Sequence, residues 1–260
     1  MPFTPSHVAA ALPLLRTPLL PAALVVGTMA PDIPYYAPLF VHREFSHSLP
    51  GLVTVDLVLG LAGALLWWFV LREPVIDLLP RTVGSRIPAL GRTAWRPTGW
   101  SWPLTVTVLV LSVLVGAATH LIWDSFTHPG WLVDHVALLR VRIGPLPVTK
   151  WLQHLSSVGG LVAVAIWVAI RLRRTDPDSA RPTRLSRAAR GGAQFGIVAA
   201  GLAAGLIAWI HGIVSGLAPF DGSLVFLVAR LTIGVAGVTG VVLVVLWFIA
   251  GRALSRRSGC

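Results

Sequence analysis

The chain has 260 residues, of which 55% are hydrophobic and only 12% charged. It therefore lacks the polar surface of an ordinary water-soluble domain, in which about 25% of residues carry charge. Its formal net charge of +11 would suit a nucleic-acid binder, but 20 of the 21 basic residues are arginine, set between long apolar runs. That distribution excludes a nucleic-acid partner and points to the lipid bilayer.

In chain order, the opening MPFTPSH has no basic stretch ahead of an apolar run, so no cleaved signal peptide is expected. Residues 8–30 are apolar, but Arg16 and the prolines at 13, 18 and 21 divide them into two short stretches. They read as a helical hairpin that enters the membrane and returns, which would bring His7 and Asp32 to one face. Five apolar runs follow, at 51–71, 103–123, 155–170, 195–216 and 223–250. At 1.5 Å per residue, a run of 21 covers about 31 Å, enough to cross a hydrocarbon core of about 30 Å. The expected fold is all-α: a polytopic integral membrane helical bundle of about five full spans plus the N-terminal hairpin.

Two arginine-dense connectors, 72–102 and 171–192, and the tail after the fifth run together hold 15 of the 21 basic residues. Five alternating crossings put all three on one side, which the positive-inside rule assigns to the cytoplasm. The opposite side has only Arg43, Arg140, Arg142 and Lys150. Trp100 and Trp102 at one end of the second run, with Trp123, Trp131 and Trp151 near the other, read as interfacial anchors. Residues 1–160 form the part that carries the chemistry and 161–260 a set of C-terminal membrane helices with the basic connector at 171–192, together one structural unit. Arg230 reads as packing against Asp56 or Asp221. The one cysteine, Cys260, rules out an intramolecular disulfide and a thiolate metal cage.

Seven of the eight histidines fall on the sparsely charged side if the hairpin forms. In THLIWDSFTH, residues 119–128, His120, Asp124 and His128 are spaced i, i+4, i+8, which places them within about 80° on one helical face. Two imidazoles and a carboxylate aimed at one locus are what a nitrogen/oxygen metal site requires. They lie at the end of an apolar span, where ionisable groups mark function by default. His42-Arg43-Glu44-Phe45-Ser46-His47-Ser48 precedes the first run, and Pro31-Asp32 follows the hairpin. Arg43 could clamp a phosphate or carboxylate, or pair with Glu44 or Asp32.

The order His7, Pro31-Asp32, HREFSHS at 42–48 and HLIWDSFTH at 120–128 resembles the bacterial membrane family known as domain of unknown function 4184. MAPDIPYY and IGPLPVTKWLQHLSS add to that likeness. More distantly, the pattern is similar to the LexA-regulated inner-membrane metal-dependent hydrolases. The resemblance implies a bacterial inner-membrane protein with a divalent-metal site and hydrolase activity, and it implies His7, Asp32, His42, His47, His120 and Asp124 as ligands, with His128 added by the helical ladder. Pro34 stands where the hydrolase pattern has a second carboxylate, and Ser46 where it has threonine. The function expected is hydrolysis of an ester or phosphoester, from lipid or envelope, at the outer membrane face. Asp124 and Arg43 are the catalytic candidates and zinc the first choice of metal, with manganese or iron as alternatives. The competing reading is a transporter or assembly partner with a structural His/Asp cluster.

Overall fold

The computed structural model describes residues 3–36, 39–87, 97, 99–178 and 183–257, with side chains through 249. Arg92, Arg96, Arg181 and Cys260, and the side chains of Arg252, Arg256 and Arg257, lie outside that description. The described chain is almost wholly helical. Its one sheet among the described residues is a ribbon pairing Arg142 with Pro147 and Ile143 with Leu146, turned by Gly144 at φ 61°, a value glycine adopts without strain. Five helices are long and apolar enough to cross a membrane: Leu49–Leu78, Trp102–His135, Val148–Arg173, Arg187–Val214 and Gly222–Ile249. The protein is thus an all-α polytopic membrane protein. Trp102, Trp123, Trp131 and Trp151 are exposed, as interfacial anchors would be.

Two compact units contain these helices. The first comprises Met1–Phe69 and Leu90–Thr175, the second Val70–Ala89 and Asp176–Cys260.

In the first unit, residues 4–36 make no single crossing helix. They form short pieces, Thr4–His7, Val8–Ala11, Leu12–Arg16, Pro21–Gly27, Ala30–Asp32 and Ile33–Tyr36. The break falls at residues 17–20, where the prolines remove donors and forbid a continuous ladder. Leu20 N–H, left free by the break, donates to Ser112 Oγ of the second span (2.8 Å). Leu20, Ala23, Ala64, Leu109 and Val113 form the apolar core that holds the returning limb against the first and second spans.

That limb approaches the second span closely because both surfaces are glycine there. A Cβ on Gly116 would lie 2.3 Å from Leu24 O, and one on Gly27 2.4 Å from Val113 O. Close backbone approach brings the end of the limb, Thr28, against the turn of the span that carries His120. The N-terminus is tied by Phe3 N–H donating to Ser157 Oγ of the third span (3.0 Å). The first span begins at Ser48, whose hydroxyl accepts from Gly51 N–H (3.1 Å), and is π-helical over Leu52–Asp56.

In the second unit, Asp77 organises the connectors. Its carboxylate accepts from Arg184 N–H (3.0 Å), Trp247 Nε1 (2.8 Å) and the Arg190 guanidinium (3.3 Å), and Arg190 Nε donates to its carbonyl (2.7 Å). Gln194 Nε2 donates to Leu78 O (2.6 Å), and Arg184 stacks over the Trp247 ring. The Asp221 carboxylate accepts from the Ser223 hydroxyl and from Leu224 N–H, which leaves Arg230 exposed on its own helix rather than paired with Asp221.

Candidate metal centre

Four elements of the first unit bring five side chains to one point. The second span brings His120 and Asp124, one helical turn apart and both buried. The hairpin brings His7 from its first limb and Asp32 from the turn after its second, and the short helix Arg43–Ser46 sets His47 immediately after it. The Nε2 of His47 lies 3.5 Å from Asp32 Oδ1 and 3.4 Å from Asp124 Oδ2. The Nε2 of His120 lies 3.6 Å and 3.8 Å from the same two atoms, and that of His7 3.6 Å from Asp124 Oδ1. His7 stacks on His120 with ring centroids 3.8 Å apart.

These separations exceed hydrogen-bond lengths. They are close to the edge of a tetrahedron of ligands around an ion with bonds of about 2.0–2.1 Å, which is about 3.4 Å. Among the described residues, His7 Nδ1 and Nε2, Asp32 Oδ1, His47 Nε2, His120 Nε2 and Asp124 Oδ1 are buried without a hydrogen-bond partner. Natural interiors leave few such atoms, and a cluster of them facing one another calls for something the chain does not supply. The donor set fits a divalent cation. His7, Asp32 and His120 place one donor atom each within 4.8 Å of one another, as do His47, His120 and Asp124.

Backbone and hydroxyl groups fix these side chains. His120 Nδ1 lies 2.8 Å from Thr28 O, and a carbonyl can only accept, so the proton sits on Nδ1 and the neutral ring presents an Nε2 lone pair to the carboxylates. His47 Nδ1 lies 3.2 Å from Arg43 O and 3.0 Å from Ser46 Oγ, which orients that ring the same way. Thr4 donates its hydroxyl to Asp32 Oδ2 (2.6 Å) and touches Tyr36 Oη (3.0 Å). Arg43 reaches Asp124 Oδ2 at 3.1 Å.

Burial, reinforced by the neighbouring His120, pushes His7 down to about 4, so it is neutral and ligand-ready at pH 7. Burial acts in the same direction on His47, but Asp124 and Asp32 facing its Nε2 hold it above the ordinary histidine value. Burial pushes the Asp32 carboxyl up, yet His47, His120 and the Thr4 hydroxyl more than offset it and leave it below the usual aspartate range.

The centre borders a cavity of ≈ 410 Å³ whose lining includes the polar Arg43, His47, Asp124 and His128 and the apolar Leu121, Pro129, Trp131 and Leu132. The chain matches the family described as domain of unknown function 4184 over residues 1–252. It belongs to that family. No curated protein and no solved structure matches it.

In this member of the 4184 family, His7, Asp32, His47, His120 and Asp124 come together, and Arg43 joins them at the cavity rim. His128 sits beside them rather than among them. It caps the second-span helix, its Nδ1 lies 3.3 Å from Asp124 O and 3.4 Å from Asp124 Oδ2, and it belongs to neither donor triad. His42 is not brought in: it is the exposed residue before the Arg43–Ser46 helix. Arg43 pairs with Asp124 rather than with Glu44 or Asp32. Thr4 and Thr28 position site side chains without a sequence motif that marks them.

Proposed function

We propose that the protein is a metal-dependent hydrolase of the bacterial inner membrane, acting on an ester or phosphoester that carries an apolar group. The observation that supports this reading is the buried convergence of unpartnered imidazole and carboxylate atoms beside a cavity lined by Arg43 and by apolar residues such as Leu121, Trp131 and Leu132. A divalent ion, with zinc the first choice and manganese or iron also compatible with a nitrogen/oxygen set, would polarise the ester oxygen and lower the pKa of a bound water toward about 7.

The chain's own residues do the rest. His7, His47 and His120 offer ring nitrogens held by burial and by backbone carbonyls, and Asp32 and Asp124 supply negative charge. Arg43 sits where its guanidinium would hold the phosphate or carboxylate of a substrate. Asp124 either ligates the metal or takes the proton of the attacking water. Trp131 and Leu132 offer the surface for an acyl or other apolar group. The arginine-rich connectors would face the cytoplasm and the centre the opposite side, which a reporter fused after residue 185 tests.

The decisive assay incubates the purified, metal-loaded full chain with chromogenic phosphoesters, carboxylic esters and phospholipids in mixed micelles. Turnover that requires metal and is abolished in Asp124→Asn is the expected result. No turnover of any of these classes by protein that holds its metal would leave a transporter or assembly role for the cluster.

A further inference from the structure

The second span sets the depth of the centre in the bilayer. Trp102 and Trp123, both exposed, stand at the two ends of its apolar stretch. At 1.5 Å per residue they are about 31 Å apart, close to the hydrocarbon thickness of about 30 Å, and tryptophan favours the level of the headgroups. Asp124 follows Trp123 directly. The centre therefore lies where polar heads meet acyl chains, the depth at which the ester and phosphate groups of a phospholipid stand.

The cavity beside the centre meets the same boundary. On the second span it is lined by Leu121, Asp124, Ser125 and His128, one face of the helix. Ile122 and Phe126, next around that helix, are exposed apolar side chains, so the cavity wall continues into a surface that lipid covers. Across the cavity, Trp131 and Leu132 begin a segment made of Trp131–His135, Ala137–Arg140 and the ribbon strand Arg142–Ile143. Val133 and Leu139 are buried and pin it, and Trp151 Nε1 ties it to the third span by donating to Ile143 O (2.9 Å). Trp131 is 71% exposed and Leu138 67%, with Val136, Val141 and Ile143 exposed beside them. Arg140 and Arg142 are exposed among these side chains, with Asp134 as the acid of the segment. Apolar side chains interleaved with arginine at headgroup depth complement an anionic phospholipid. A volume of ≈ 410 Å³ is that of a pocket for a drug-sized ligand, enough for a headgroup but not for two acyl chains.

We propose that the substrate is an anionic phospholipid that reaches the centre sideways from the leaflet and keeps its tails in the bilayer. Residues 131–143 are its platform, Arg140 and Arg142 draw anionic headgroups to it, and Arg43 takes the phosphate. The proposal rests on the hydrolase reading of the centre and adds to it the substrate class and the route of entry.

Two measurements on the full chain in phosphatidylcholine vesicles test it. The first needs neither metal nor turnover: trace phosphatidylglycerol with a diazirine near its ester is photolysed and the labelled peptides are mapped by mass spectrometry. Labelling within 121–143 should exceed that from the matching phosphatidylcholine probe, and the excess should fall about tenfold in Arg140→Gln/Arg142→Gln. Equal labelling by the two probes, or an excess unchanged in the double variant, overturns the route. The second adds metal. Turnover of phosphatidylglycerol should fall as phosphatidylcholine dilutes it in the surface at constant bulk concentration. Its water-soluble deacylated form, glycerophosphoglycerol, should react about a hundredfold more slowly, having no apolar group to bind. Turnover of glycerophosphoglycerol or of a chromogenic phosphodiester without turnover of the lipid overturns the lipid substrate and leaves the hydrolase standing. Metal-loaded protein that turns over none of them overturns the hydrolase reading, and the substrate assignment with it.

Discussion

The two units bury charge in opposite ways. In the second, Asp77 and Arg190 are both buried, and every oxygen of the Asp77 carboxylate has a donor: a backbone amide, an indole and a guanidinium. In the first, Asp32, Asp56, Asp124 and three histidines are as deeply buried, and all the unpartnered buried side-chain atoms among the described residues occur in this unit. A satisfied network locks connectors together, whereas an unsatisfied one is a site awaiting a ligand. The same residue types thus serve two purposes, told apart by the inventory of their hydrogen bonds rather than by their burial.

Breaking the satisfied network should have the largest effect. Asp77→Ala leaves the Arg190 guanidinium buried without its carboxylate, and a loss of about 3–5 kcal/mol is expected in denaturant unfolding, with metal content per folded chain unchanged. Loss of metal from that variant would mean that the two units do not have separate roles.

The unsatisfied network should respond to metal instead. A thousandfold excess of metal over its Kd is expected to stabilise the wild-type chain by about 4 kcal/mol, and His120→Ala should abolish the shift. A smaller effect, about 1–3 kcal/mol, is expected for Gly116→Val, which forces the hairpin off the second span and moves Thr28 O from His120. Its metal affinity should fall along with its stability, measured by thermal unfolding and metal titration on one preparation.

The pH dependence sharpens the comparison further. The folded metal-free His47 holds its proton above the ordinary value of 6.5, so its contribution to the stability of the metal-free chain is fully present below 6.5 and is lost as pH rises through the elevated value. Metal must displace that proton. Affinity should therefore fall about tenfold per pH unit below the His47 value, and binding below that value should release a proton, measurable in weak buffer. Binding that does not vary between pH 6 and 8 would remove His47 from the ligand set.

The spans, the hairpin and most of the centre were legible in the sequence because their signals are local. Apolar runs set the spans, prolines at 13, 18 and 21 broke the hairpin, and the four-residue spacing of His120 and Asp124 put them on one face. The spans themselves exceed the apolar runs, most plainly the third, Val148–Arg173 against 155–170, because helix continues into polar flanks. What local patterns do not carry is contact between elements. His42 and His47 look equivalent in HREFSHS, and only the short helix between them decides that one points out and the other in. Asp56 looked like a partner for Arg230, yet its surroundings are set by the hairpin turn and the Arg43–Ser46 helix. Asp77 and Arg190 gave no signal at all, being 113 residues apart.

The central claim is that the first unit's buried polar atoms form a metal centre. Elemental analysis of the full chain purified under metal-replete conditions tests it most directly, with His120→Ala and Asp124→Ala prepared in parallel. Stoichiometric divalent metal in the wild type and its loss from both variants is the predicted result; wild-type protein without divalent metal, or variants that retain it in full, would contradict the account.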